Sequence, residues 1–187
     1  MNATLDLLAT RRSVPPQLLQ EPGPTPDELE RLLKTAARVP DHGKLVPWRF
    51  IVIGSEAGAR LGETIATAFG ADEPGAGEDR IAQERGRLTR APLVVAVVSR
   101  ARPHAKIPEW EQLMSAGAAC MNFIVAANAM GFGTVWLTEW IAFDRRILDA
   151  LGLAPDENLA GFIHVGRSPG PPADRDRPVM ADIVTYA

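Results

Sequence analysis

Two arginines and a serine in succession, Arg11-Arg12-Ser13, put two guanidinium forks and a hydroxyl on one short stretch, a set able to grip an anion. On their own they read first as surface arginines beyond a short helix. His42, near Pro40, can donate to a ligand carbonyl or close a turn hydrogen bond, and the two readings stand level. Lys44 can lend positive charge to a ligand or sit solvated in its loop. Trp136 ends an apolar run, where core packing is the ordinary explanation, and Trp48 reads as core. Trp110 and Trp140 can each line a pocket, while His104, His164 and Cys120 read as structural.

Absences narrow the chemistry. There is no glycine-rich dinucleotide fingerprint, phosphate loop, Cys-x-x-Cys or His-x-x-x-His, and no serine has the Gly-x-Ser-x-Gly context of a nucleophile elbow. A metal hydrolase and a conventional dehydrogenase are thereby set aside, and no metal site is expected. Twenty basic against twenty-three acidic residues give a net charge of -3 without a basic stripe, so nucleic acid is not an expected partner. One cysteine, no basic-then-apolar leader and no run of about eighteen apolar residues suit a cytoplasmic, membrane-free protein.

These residues need elements to position them, and 187 residues, 46% hydrophobic and 23% charged, suffice for one core. Leu5, Leu7 and Leu8 suggest an opening helix that ends near Arg11. Thr25-Pro26-Asp27-Glu28 is a capping box with proline at the first helical position, and that helix must stop before Val39-Pro40. β-Branched runs at residues 49–53 and 93–98 read as strands covered on both faces. Helices at 56–69 and 79–90 separate them, with the acidic, glycine-rich 70–77 loop as a possible lid. Residues 110–130 form a long helix, apolar nearly all round, which implies burial on every side, in part by a second subunit. Strands follow at 133–137 and 159–165 around a helix at 144–151, and then a polar Pro-Gly stretch leads to an expected terminal strand at 182–186. The pattern is that of an α+β (α/β) sandwich with helices on a central sheet.

Three collinear segments resemble the FMN-dependent nitroreductase family, in particular its compact YdjA-type members. They are Arg11-Arg12-Ser13, the stretch from Arg38 through His42 to Pro47-Trp48-Arg49-Phe50, and the stretch from Ala126 to Gly131-Phe132-Gly133-Thr134-Val135-Trp136. Trp110-Glu111-Gln112 and Met114-Ser115-Ala116-Gly117 of the compact subgroup lie between them. Lys44 and Val46 depart from the larger members, which carry Asn and Gln before the Pro-Trp pair.

The resemblance implies a nitroreductase-like fold, a mixed or antiparallel sheet flanked by helices, in an intimate homodimer with FMN at the interface. Residues 1–187 would be a single domain, with 168–187 an extended C-terminal arm that crosses to the partner. Arg11, Arg12 and Ser13 match phosphate and ribityl contacts, and Arg38 and His42 match contacts made to a flavin bound mainly by the other chain. Trp136, Leu137 and Thr138 pass along the flavin with backbone donors. Ala126, Ala127, Asn128, Ala129, Met130 and Gly131 match a nucleotide-binding stretch. No catalytic side chain is implied: flavin N5 would carry hydride from NADH or NADPH to a small-molecule electron acceptor, a nitroaromatic or a quinone, in ping-pong order. Competing readings keep the flavin but change the reaction, to dehalogenation or enone reduction, or make the protein a flavin store.

Overall fold

A computed structural model describes residues 2–187. The opening helix, α1 (Ala3–Thr10), is capped by the Asn2 side chain, which accepts from the Thr4 and Leu5 amides. In α2 (Pro26–Ala36) the capping box forms as its sequence requires: Glu28 N–H donates to the Thr25 hydroxyl, and the Glu28 carboxylate accepts from Thr25 N–H at 2.8 Å. Leu32 and Ala36 are the residues this helix buries.

Four strands, β1 (Trp48–Gly54), β2 (Leu93–Ser99), β3 (Gly133–Leu137) and β4 (Asn158–Gly166), form one antiparallel sheet in the order β1-β2-β4-β3. Apolar residues run through β2 without alternation because both faces of the sheet are covered. On one face Val95, Val97, Ile163 and Val165 pack with α2 and with Cys120, Phe123 and Ala127 of α5 (Glu109–Ala129). On the other, Val94, Ala96, Val98 and Phe162 pack with α3 (Ser55–Asp72) and α6 (Arg145–Ala150). Burying each such large side chain stabilises by about 1.5–3 kcal/mol. The edge strand β3 carries Trp136, whose indole lies across Gly161 and donates to the Ala160 carbonyl at 3.0 Å. Gly161 has φ +151°, and a Cβ there would sit 2.1 Å from the indole nitrogen, so only glycine serves.

Three expectations are corrected. Residues 70–72 continue α3, so the connection to α4 (Glu78–Arg85) is shorter than the 70–77 loop. α5 is not apolar all round, because Glu111, Ser115 and Asn122 form a polar stripe with partners of their own. The terminal strand is replaced by a single helical turn, α7 (Met180–Ile183), closed by Val184 N–H to Met180 O. Strand-prone side chains are insufficient without an edge to pair with; within this protomer they meet none and close local bonds instead. Val179, Met180, Ile183 and Tyr186 stand exposed.

Candidate flavin site

On leaving α1 the chain passes along the free edge of β3, where Val14 N–H donates to the Thr134 carbonyl at 3.0 Å. This places Arg11 and Arg12, both half-buried, on a cavity of about 250 Å³ that Leu7, Asn128, Gly131, Phe132 and Ser168 also line. The two arginines differ. Arg12 is occupied, donating to the Ala173 carbonyl at 2.7 Å and pairing with Asp174 at 3.2 Å. Arg11 pairs with no carboxylate among the described residues and is the cation left for a ligand. Ser13 is exposed beside it.

At the far end of the same strand come Trp136, Leu137 and Thr138. Leu137 packs toward Val14, Leu19 and Val135. The N–H groups of Thr138 and Glu139 donate to no acceptor among the described residues. The stretch from Ala126 to Gly131 mostly closes α5: Ala127 is fully buried, Ala126 and Met130 pack on the core, and Asn128 donates to the Phe132 carbonyl and the Thr134 hydroxyl, both at 3.0 Å. Of these six residues, Asn128 and Gly131 line the cavity.

Arg38 and His42 lie elsewhere, held by the polar stripe of α5. Asn122 Nδ2 donates to the Arg38 carbonyl at 2.8 Å, the Ser115 hydroxyl to the Pro40 carbonyl at 2.6 Å, and His42 Nδ1 is 2.8 Å from Glu111 Oε2. Trp48, buried as expected, donates from its indole to the Ser115 hydroxyl at 3.1 Å. The intervening loop is strained: Lys44 and Val46 have φ +53° and +48°. Asp41 holds it there, its carboxylate accepting from the Leu45 and Val46 amides, each at 2.9 Å. Gly43, at φ +70°, allows the turn, where a Cβ would meet Ile107 at 2.4 Å. The side chains of Arg38, His42 and Lys44 are exposed.

Arg11 and His42 therefore lie toward opposite ends of α5, while Arg38 is held at Asn122 in the second half of the helix and Trp136 lies over Ala160, which packs against Ala116 and Ala119. Glu111 and Asn128 are 17 residues apart, about 25 Å at helical rise. Along its outer face α5 exposes Trp110, Met114 and Met121, with Gly117 in the same row having open space around its missing Cβ. In the sequence Glu111 and Ser115 stand only as motif residues of the compact subgroup, without a role, and Asn122 is passed over. Their signal was polar residues at positions i, i+4 and i+11 on an otherwise apolar helix, one face by helical period.

Two charge networks flank the site. Glu157 is held well below the usual carboxylate range, at about 2, chiefly by its hydrogen bonds from Arg49, with Arg100 adding attraction. The other joins Glu84, Arg87, Arg90 and Glu139. Burial pushes Glu84 and Glu139 up, but their arginine partners outweigh it and both carboxyls are lowered. His164 is fully buried with neither ring nitrogen hydrogen-bonded, and that burial, reinforced by Arg90, drives it down to about 4.

Helices on both faces of a four-stranded antiparallel sheet, with a free arginine and unpaired backbone donors along its edge strand, define an α+β protein of nitroreductase-like fold. The nitroreductase family model matches residues 8–167, and the chain belongs to that family. It is 36% identical over 162 residues to YdjA of Escherichia coli K12, named as an NAD(P)H nitroreductase, covering 87% of this chain and 86% of the relative. A nitroreductase-like family protein from Bacillus cereus superposes with a TM-score of 0.84 at 20% identity, covering 100% of this chain and 97% of the other. A nitroreductase with bound FMN from Bacteroides fragilis superposes at 0.70 with 21% identity, covering both chains completely. Among the described residues no helix is long and apolar enough to cross a membrane.

Proposed function

We propose that this protein is an FMN-dependent oxidoreductase, passing reducing equivalents from NADH or NADPH to electron-poor acceptors such as nitroaromatics or quinones, as a homodimer with each flavin between two chains. One observation carries the reading. Arg11 shares a cavity with Asn128 and His42 pairs with Glu111, two points about 25 Å apart along α5, whose outer face between them is apolar. A two-fold copy packed antiparallel along α5 brings the Arg11 end of one chain to the His42 end of the other and closes two equivalent sites. Family membership and the names of the relatives supply the flavin and the nucleotide.

The residues fit FMN. Arg11 offers an uncommitted guanidinium fork for the phosphate, Ser13 an exposed hydroxyl, and Thr138 and Glu139 free N–H donors for ring carbonyls. FMN, when bound, supplies the hydride-transfer chemistry. What the chain contributes is placement. The latches of Asn122, Ser115 and Glu111 fix Arg38 and His42 against the partner's site, and with Nδ1 facing Glu111 the Nε2 of His42 is left for a ligand. Trp136, half-exposed over Gly161, gives the pocket an aromatic wall. Nucleotide and acceptor take turns in one pocket, which requires ping-pong order. The arm at 168–187 belongs to the same single domain and crosses to the partner, covering the exposed Val179, Met180 and Ile183. Buried Cys120, its thiol pushed up to about 12 by burial, suits a cytoplasmic setting.

Anaerobic addition of NADH or NADPH to FMN-loaded protein tests the activity. Bleaching followed by reoxidation with a nitroaromatic or quinone is expected. Flavin that stays oxidised with both nucleotides would make the protein a flavin store, and reoxidation only by enones or halophenols would change the acceptor class.

A further inference from the structure

The turn that follows β3 has a backbone that its own residue does not favour. Glu139 sits at φ +51°, ψ 175°, a combination that glycine adopts freely and other residues adopt only at a steric cost. Such a conformation persists where surrounding contacts over-determine it, and here they are visible. Arg87 Nη1 meets Glu139 Oε1 at 2.5 Å and Arg90 Nη2 meets Oε2 at 2.6 Å, so one carboxylate is pinned from two sides. Arg87 is itself braced by a two-point contact with Glu84, which is buried and also accepts from the Trp140 indole at 2.7 Å. The brace therefore runs from the turn at 86–90 through Glu139 and returns to the chain one residue later at Trp140. The strained residue is also where the unpaired N–H groups of Thr138 and Glu139 emerge.

We propose that Glu139 is a positioning residue for the flavin: pinned by Arg87 and Arg90, its carboxylate holds the 138–139 backbone in the conformation that directs these two N–H groups at the ring's carbonyl edge. The inference rests on the flavin reading above. It assigns the carboxylate no contact with the cofactor; the side chain faces away into the arginines and acts through the main chain. Its energetic role is to offset the cost of the left-handed backbone in the unliganded protein, so that binding need not bear it.

Replacement by alanine and by glycine separates this from a structural role. Both lose the carboxylate, but only alanine retains the steric cost of the left-handed backbone. FMN affinity is read by fluorescence titration, with the absorbance spectrum of the bound flavin and the thermal midpoint of the flavin-free protein alongside. Glu139→Ala is expected to weaken FMN binding about tenfold and shift the flavin spectrum. Glu139→Gly is expected to recover most of the affinity and the wild-type spectrum, although its melting point, like that of Glu139→Ala, stays below that of wild type. Should the alanine variant not fold, Arg90→Met, which removes one of the two pins, is expected to weaken binding in the same direction with Arg87 retained. Wild-type affinity and spectrum in Glu139→Ala or in Arg90→Met would overturn the proposal, as would a glycine variant no better than alanine. Wild-type protein that binds no FMN would overturn the flavin reading itself, a result distinct from either.

Discussion

The two groups of site residues are held by different means. In one, Arg11, Trp136 and Thr138 are carried on or against the edge strand, and their places follow from the sheet register and the packing of Val14, Leu19 and Val135. In the other, Arg38 and His42 belong to a segment that leads into a strained loop and is tied by three side chains of one helix face. The first group cannot move without disturbing the core. The second can be loosened one hydrogen bond at a time. A site assembled from both would combine a rigid half with a separately adjustable half, each, in the proposed dimer, from a different chain.

The largest effect should come from removing the second chain. Gly117 has open space around its missing Cβ, and arginine is the better helix former, so Gly117→Arg should leave the protomer folded while blocking an antiparallel copy. Sedimentation should show a monomer, with FMN affinity down at least a thousandfold, ~4 kcal/mol. A Gly117→Arg dimer with normal affinity would break the comparison at its root.

The rigid half should be the one that acid disturbs through His164, which lies on β4 opposite Val135 of the edge strand. Its folded pKa is pushed down to about 4 from 6.5, so the stability it leaves intact is fully present above about pH 6.5 and lost as pH falls through 4. Denaturant unfolding should show a loss of about 3 kcal/mol between pH 7 and pH 4, absent in His164→Leu. Glu157, held at about 2, acts in a lower window, from about 4.5 downward.

Arg11→Ala should weaken FMN binding by roughly 1.5–3 kcal/mol without moving the melting point, the scale of a charged hydrogen bond. Arg12→Ala should cost less and free the 173–174 segment of the arm instead, because Arg12 is already committed there. Equal losses would mean that the phosphate recruits both. The smallest expected change is in the adjustable half: Asn122→Ala removes one latch on the Arg38 carbonyl and should lower FMN affinity by about 1 kcal/mol, with little effect on stability.

Much of this arrangement was legible in the residues. The capping box at Thr25, the apolar runs of β1 and β2, the strand from Gly133 to Leu137 and the long central helix all follow local rules that the tertiary structure did not override. What escaped was non-local. The polar stripe of α5 has meaning only once residues 38–48 are laid against it, and a sequence window sees one serine and one asparagine among alanines. The left-handed backbone at Lys44, Val46 and Glu139 carries no residue signature, since none is glycine; carboxylates hold these turns, Asp41 for the first two and the Glu139 side chain itself for the third. At the C-terminus, β-branched residues implied a strand that needs a partner edge this protomer does not offer.

Mixed dimers test the two-chain site most directly. Chains carrying Arg11→Ala are unfolded and refolded together with an equal amount of chains carrying Arg38→Ala and His42→Ala, and FMN is titrated into the mixture. Each homodimer has two damaged sites, but a mixed dimer collects all three substitutions in one site and leaves the other intact. The account predicts that about a quarter of all sites regain wild-type affinity, the share expected from random pairing of an isologous dimer. A mixture that binds no better than its two parents would show that Arg11, Arg38 and His42 serve one flavin from the same chain, and would contradict the account.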